Sequence, residues 1–223
     1  MTANFFVLSA TFKKKWFWGQ VLTGIDMGVL AQKGMRDFSG TVSVEIAEGS
    51  VPGDFLWVGL PILIVSSKVL NIWKHFGAFE TYLVDIKGRT ISTEYGGAVF
   101  LGRGGPFQPE RSKAVYSKSV DEQGKRALMK HEGMYFDDSQ WDGSDLITID
   151  DFPCLPIVTE PVVKAMKDAK ITNCKYTPLE EYGILKKGGI HLTQATPAYS
   201  ILGYGNLSQT HGRHRLPPES AGV

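Results

Sequence analysis

The residues with the plainest chemical potential lie in one acidic stretch. Between His131 and Val163 there is no Lys or Arg, while Glu132, Asp137, Asp138, Asp142, Asp145, Asp150, Asp151 and Glu160 contribute eight carboxylates. Of the chain's 23 acids that leaves 15 against 24 basic residues elsewhere, so a formal net charge of +1 conceals two regions of opposite sign. Residues 137–145 also hold Trp141. An acidic run with an aromatic can steer and then anchor a basic partner surface, and it can equally be a solvated loop. A calcium loop needs oxygens at fixed offsets, a turn glycine and a terminal bidentate Glu, and residues 137–145 lack that register. His131-Glu132 opens like a zincin helix, but position 135 is Tyr where the second ligand belongs. His211 and His214 are three apart beside Gly212, Pro217 and Pro218, which oppose the helix that would bring them together. No metal and no cofactor are therefore expected.

Nucleophile and phosphate motifs are missing as well. Neither the glycines at 102, 104 and 105 nor Gly188-Gly189 have phosphate-loop spacing, and no Gly-x-Ser-x-Gly or Ser-x-x-Lys occurs. Cys154 and Cys174 flank apolar stretches at no metal or redox spacing and read as small buried thiols. Two cysteines form no disulfide framework, and no basic-then-apolar leader pattern opens the chain, so a cytoplasmic setting is expected. The apolar run 55–65 is too short for a spanning helix, and the near-neutral total gives no global attraction to nucleic acid or anionic membrane.

The elements that must position these groups follow from periodicity. Residues 5–8 and 41–46 read as strands, the second alternating at period two. Residues 62–65 read as a buried strand, with Ser66 or Ser67 capping a helix by accepting from its first amides. Val69, Leu70, Trp73 and Phe76 share one face of that helix; Gly77 stops it, and 79–86 forms the next strand. The same grammar returns at 155–158, with Thr159 as cap and Pro161 in the first turn. Val162, Val163, Met166 and Ala169 give the second stripe; Asn173 is the left-handed stop, and 175–179 the exit strand. Val65-Ser66 matches Val158-Thr159, and Tyr82 matches Tyr176 with one residue of slippage. The expected fold class is α+β: a mixed or antiparallel sheet carrying two strand-helix-strand modules, with peripheral helices. Residues 1–205 are expected as a single domain divisible into similar halves, with 54–86 and 152–179 as related modules and 206–223 as a flexible tail.

Two segments resemble an immunity-protein family of bacterial polymorphic toxin systems, the eleventh in the usual numbering and formerly a domain of unknown function. The first is Asp54, Phe55 and Leu56 through Ile64, Val65 and Ser66 to Tyr82. The second is Tyr135, Phe136 and Asp137, then Trp141 to Leu146, Pro153 to Val158, and after the helix Ile171 to Asn173 and Tyr176 to Leu179. Together they cover about residues 54–179, and Asn173 stands where the family often has Gly. The resemblance implies a stoichiometric inhibitor that binds a cognate toxin domain and is not an enzyme. Asp137, Asp138, Trp141, Asp142 and Asp145 are the candidate toxin-binding residues. The alternatives are a small hydrolase or transferase using Asp137, Asp142 or His131, and an adaptor module.

Overall fold

The computed structural model describes residues 4–11, 13–22, 25, 29, 34–36, 38–120, 124 and 126–183. The expected tail at 206–223 and the His211/His214 pair lie outside them. The strands are β1 (Phe5–Ala10), β2 (Trp18–Val21), β3 (Thr41–Glu48), β4 (Leu63–Ser66), β5 (Phe79–Lys87), β6 (Tyr95–Phe100), β7 (Gly102–Arg103), β8 (Val115–Val120), β9 (Arg126–Lys130), β10 (Leu146–Ile149), β11 (Phe152–Thr159) and β12 (Cys174–Pro178). Helix α1 (Ser67–Trp73) follows β4, and α2 (Glu160–Asp168) follows β11. Among the described residues the strands build two five-stranded sheets, β12-β1-β11-β10-β7 and β2-β3-β5-β6-β4, and a separate β8–β9 hairpin. The class is strand-dominated α+β with mixed sheets. No helix among the described residues is long and apolar enough to cross a membrane.

Each sheet contains the same local arrangement. β4 and β5 both run antiparallel to β6 and are therefore parallel to one another across it, with α1 in the connection. β11 and β12 flank β1 in the same way, with α2 in theirs. The register aligns the two arrangements residue by residue. Ser66 pairs with Tyr95 and Thr159 with Phe5, while Phe55 bridges Val65 as Leu146 pairs with Val158. Three, four and seven residues after Ser66 come Val69, Leu70 and Trp73; at the same offsets after Thr159 come Val162, Val163 and Met166. Leu70 is half-buried and the other five are buried, and the two side chains at offset seven meet, with Trp73 Nε1–H directed at Met166 Sδ at 3.4 Å.

This central core takes Leu8, Phe55, Val65, Val69, Trp73, Phe100, Leu146, Val158, Val162 and Met166 from both arrangements. A second core under β3, β4 and β5 gathers Val42, Val44, Ile64 and Tyr82; a third under β10 and β11 gathers Met134, Phe136, Ile147, Ile149 and Ile157. Sheet strands alternate their faces, so Val65 and Val158 look inward while Ile64 and Ile157 look outward.

Four expectations need correction. Ser66 and Thr159 do precede their helices, but neither hydroxyl accepts from a helix amide. Each instead donates to an aspartate upstream, Ser66 Oγ to Asp54 Oδ1 at 2.8 Å and Thr159 Oγ1 to Asp145 Oδ1. Each helix start is thus tied to an upstream aspartate rather than capped by the hydroxyl that precedes it. The left-handed stop after α2 is Lys170, at φ +54°, with Ile171 N–H donating to Met166 O and Lys170 N–H to Lys167 O. Asn173 is also left-handed, but its amide is committed to the Phe55 backbone, donating to O at 2.6 Å and accepting from N at 2.9 Å. Phe76 is only half-buried, and α1 ends at Trp73, before Gly77.

The fourth correction is the tyrosine match. Cross-strand register makes Tyr82 equivalent to Thr177, and Tyr176 to Thr81. One residue of slip in a strand moves a side chain to the opposite face. Tyr82 accordingly lies in the second core, while Tyr176 packs against the central one. Opposite Tyr82 stands Gly97, whose added Cβ would sit 1.9 Å from the ring, while Thr177 stands opposite Val7. Large and small exchange places across the pair, and Gly97 is needed for space. No strand was expected at 95–100, where Gly96 and Gly97 interrupt the apolar pattern.

Candidate functional site

The acidic loop hangs between the third core and β10, and most of its carboxylates hold it in shape. Asp137 precedes a single 3-10 turn (Asp138–Gln140). Its Oδ1 accepts from Ser139 N at 3.2 Å and Oγ at 2.6 Å, and its Oδ2 from Gln140 Nε2 at 2.7 Å. The bonds from Ser139 and Gln140 hold this carboxyl below the usual carboxylate range. Asp142 clamps β7: its Oδ2 accepts from Arg103 N at 2.8 Å, its Oδ1 from Ser144 N at 2.9 Å, and its own N–H donates to Arg103 O at 3.1 Å. Partial burial pushes the Asp142 carboxyl up. The Ser144 and Arg103 amides, the Ser144 hydroxyl and the Arg103 charge outweigh that and leave it lowered.

Asp145 is the partner of Thr159 and so belongs to the start of α2. Trp141 is half-buried; its Nε1–H donates to Ser144 O at 2.8 Å, and its ring meets Phe5 edge-on at 5.1 Å. Asp138 is exposed, and so is Asp150 beyond β10. The five candidate residues thus do share one loop, but three of the four carboxylates and the indole have internal partners. Asp137 and Trp141 have local partners at Ser139, Gln140 and Ser144, whereas the signal for Asp142 and Asp145 lies far away in sequence, at Arg103 and Thr159.

The groups available for acid–base or nucleophilic work are placed apart from this loop's surface. His131 is 1% exposed, its Nδ1–H donates to Gly133 O at 2.9 Å, and Phe107 and Tyr182 rings lie 6.3 and 5.9 Å away. Burial lowers its basicity more than the Gly133 carbonyl restores it. Glu132 is held down at about 2 by its bonds to Lys113 and Lys130. A cleft of about 80 Å³ between β1, β11 and the 55–64 segment is lined by Leu8, Phe55, Trp57, Ile62, Cys154 and Tyr182. Burial pushes the Cys154 thiol up to about 12, so it is protonated near neutrality and a poor nucleophile. Among the described residues no three His, Cys, Asp or Glu side chains converge as a metal site would require.

A second polar cluster, missed by sequence reasoning, joins the two arrangements. Asp54 Oδ2 accepts from Thr172 N at 2.7 Å and Thr172 Oγ1 at 2.8 Å, while Oδ1 holds Ser66. The turn after α2 is thereby fastened to the segment before β4. Comparison with protein-family models and with curated proteins finds no match for this chain.

Proposed function

We propose that this chain is an immunity protein that binds a cognate bacterial toxin domain in the cytoplasm and blocks its active site or substrate path. Inhibition is stoichiometric and uses no cofactor and no chemistry of the chain's own. The observation that carries this reading is the preset acidic loop. Asp137, Asp142, Asp145 and Trp141 are fixed by bonds within the protein, so a partner that docks there does not bear the cost of ordering it. Asp138 adds exposed negative charge within the loop and Asp150 at the far end of β10. The two segments that resemble the immunity family are also the two whose registers align, and we infer that they are copies of one Asp-strand-helix-strand unit within a single domain.

The test is association kinetics with the cognate toxin domain, together with protection of cells that express it. Asp142 and Asp145 are unsuited to a test of charge alone, because replacing them also releases Arg103 and Thr159. Asp138→Asn combined with Asp150→Asn changes charge at exposed positions. Association should slow, and its salt dependence should weaken, with little change in dissociation. Unchanged association and full protection would move the toxin contact to another face.

A further inference from the structure

The β8–β9 hairpin belongs to neither large sheet, and its ladder shifts register twice, between Val115 and Tyr116 and between Tyr116 and Val120. Ala114 and Leu128 fasten it to the third core. Val115, Tyr116, Val120 and Met129 are 51%, 41%, 56% and 36% exposed, and they make up half of the eight large apolar side chains exposed among the described residues. Cations stand between them. Lys113 and Lys130 share Glu132 at 2.8 Å each, but Lys118 and Arg126 have no carboxylate within ion-pair distance among the described residues. A two-stranded sheet has no inner strand, so each strand also presents an outer edge of backbone groups.

We propose that β8–β9 is a docking edge for an extended acidic segment of a partner polypeptide, which adds as a third strand. Main-chain hydrogen bonds would hold it in register. Its aliphatic side chains cover Val115, Val120 and Met129, and its carboxylates meet Lys118 and Arg126. A polypeptide fits better than a nucleic acid, because three of the four exposed apolar groups are aliphatic and Tyr116 is the only stacking ring on these strands. This goes beyond the proposed toxin binding: it holds whatever the partner's activity, and it concerns a face opposite in charge to the acidic loop.

The experiment uses the full chain and a blocked peptide alternating glutamate with valine, about ten residues long to match a strand. A lysine–valine peptide and an oligothymidylate of equal charge are the comparison probes. The acidic peptide should bind and slow amide exchange at 115–120 and 126–130. Lys118→Glu with Arg126→Glu should weaken it by about tenfold, both substitutions lying at exposed positions. Equal binding of either comparison probe, protection confined to other segments, or no binding at about 1 mM peptide would each overturn the proposal. Toxin protection measured on the same double variant reads the acidic face separately, so failure of one leaves the other decided on its own.

Discussion

The arrangement around α1 and the one around α2 place equivalent residues at equivalent positions, yet they secure their helices differently. α2 has Glu160 in its first turn, Pro161 beside it, Lys167 in its last turn and a left-handed stop at Lys170. α1 has no acid in its first turn and no base in its last, and it is seven residues long. End charges and caps each contribute some tenths to about 1 kcal/mol. Lacking them, α1 depends on burial, and its offset-seven residue is the large Trp73 where α2 has Met166. Length, end charges and a left-handed stop in one helix stand against side-chain volume in the other.

The sharpest way to break this comparison is at that contact. Trp73→Ala removes a fully buried indole that touches Phe79 and Phe100 as well as Met166, and should cost about 3–5 kcal/mol in urea unfolding. Met166→Leu keeps the volume and should cost less than about 1.5 kcal/mol. Equal losses from the two would mean that α1 has end stabilisation not visible in its caps. Gly97→Ala is next. Its Cβ would lie within the Tyr82 ring, and such overpacking costs about 1–3 kcal/mol. Tyr82→Thr alone should cost more, about 3–5 kcal/mol, because it empties a buried site and removes the hydroxyl that donates to Leu63 O. In that background Gly97→Ala should add little further loss in the same assay, since the ring it would strike is gone.

How much of this was legible depends on distance along the chain. The strand-helix junctions at Ser66 and Thr159 follow from local pattern, as does the burial of Val69 and Trp73 after the first and of Val162, Val163 and Met166 after the second; Phe76 does not, since α1 has already ended. β6 did not, because its paired glycines serve Tyr82 and Leu70 and resemble a breaker when read locally. The β1–β11 pairing joins Phe5 to Thr159, and nothing in either segment names the other. The acidic loop was legible as charge. Which of its carboxylates are structural was not, since Asp142 is defined by Arg103 and Asp145 by Thr159. The tyrosine match failed for a related reason: similarity in sequence ignores the side to which a strand residue points.

The two aspartates sharpen the comparison at smaller scale. Asp54→Ala and Asp145→Ala each strand a buried hydroxyl, on Ser66 or Thr159, at about 1–3 kcal/mol. Asp54 also holds Thr172 through two further bonds, so its loss should be the larger. Chemical unfolding of both variants checks the order. The reverse order would show that the Thr172 attachment contributes little and that the helix start is the common element.

The smallest effect separates the two outer cores. Among the described residues the one under β3, β4 and β5 has no histidine, whereas the one under β10 and β11 has His131 against it, packed by Phe107 and Tyr182. Folding depresses the His131 pKa below its ordinary 6.5, chiefly through burial. The unfolded chain therefore binds a proton that the folded chain refuses once the pH falls below about 6.5. The sign follows: stability is fully present above that value and declines as the pH drops toward the folded pKa, by at most about 1.4 kcal/mol per pH unit for one proton. Asp137, Asp142 and Glu132 are lowered from ordinary values of 3.8 to 4.5, so they contribute to acid loss only in a more acidic window. Unfolding measured between those windows should slope with pH in the wild type. His131→Gln can keep a donor near Gly133 O without titrating, and it should flatten that slope while lowering stability throughout. A slope that survives the substitution would place the titrating group elsewhere and leave the two outer cores alike in their response to acid.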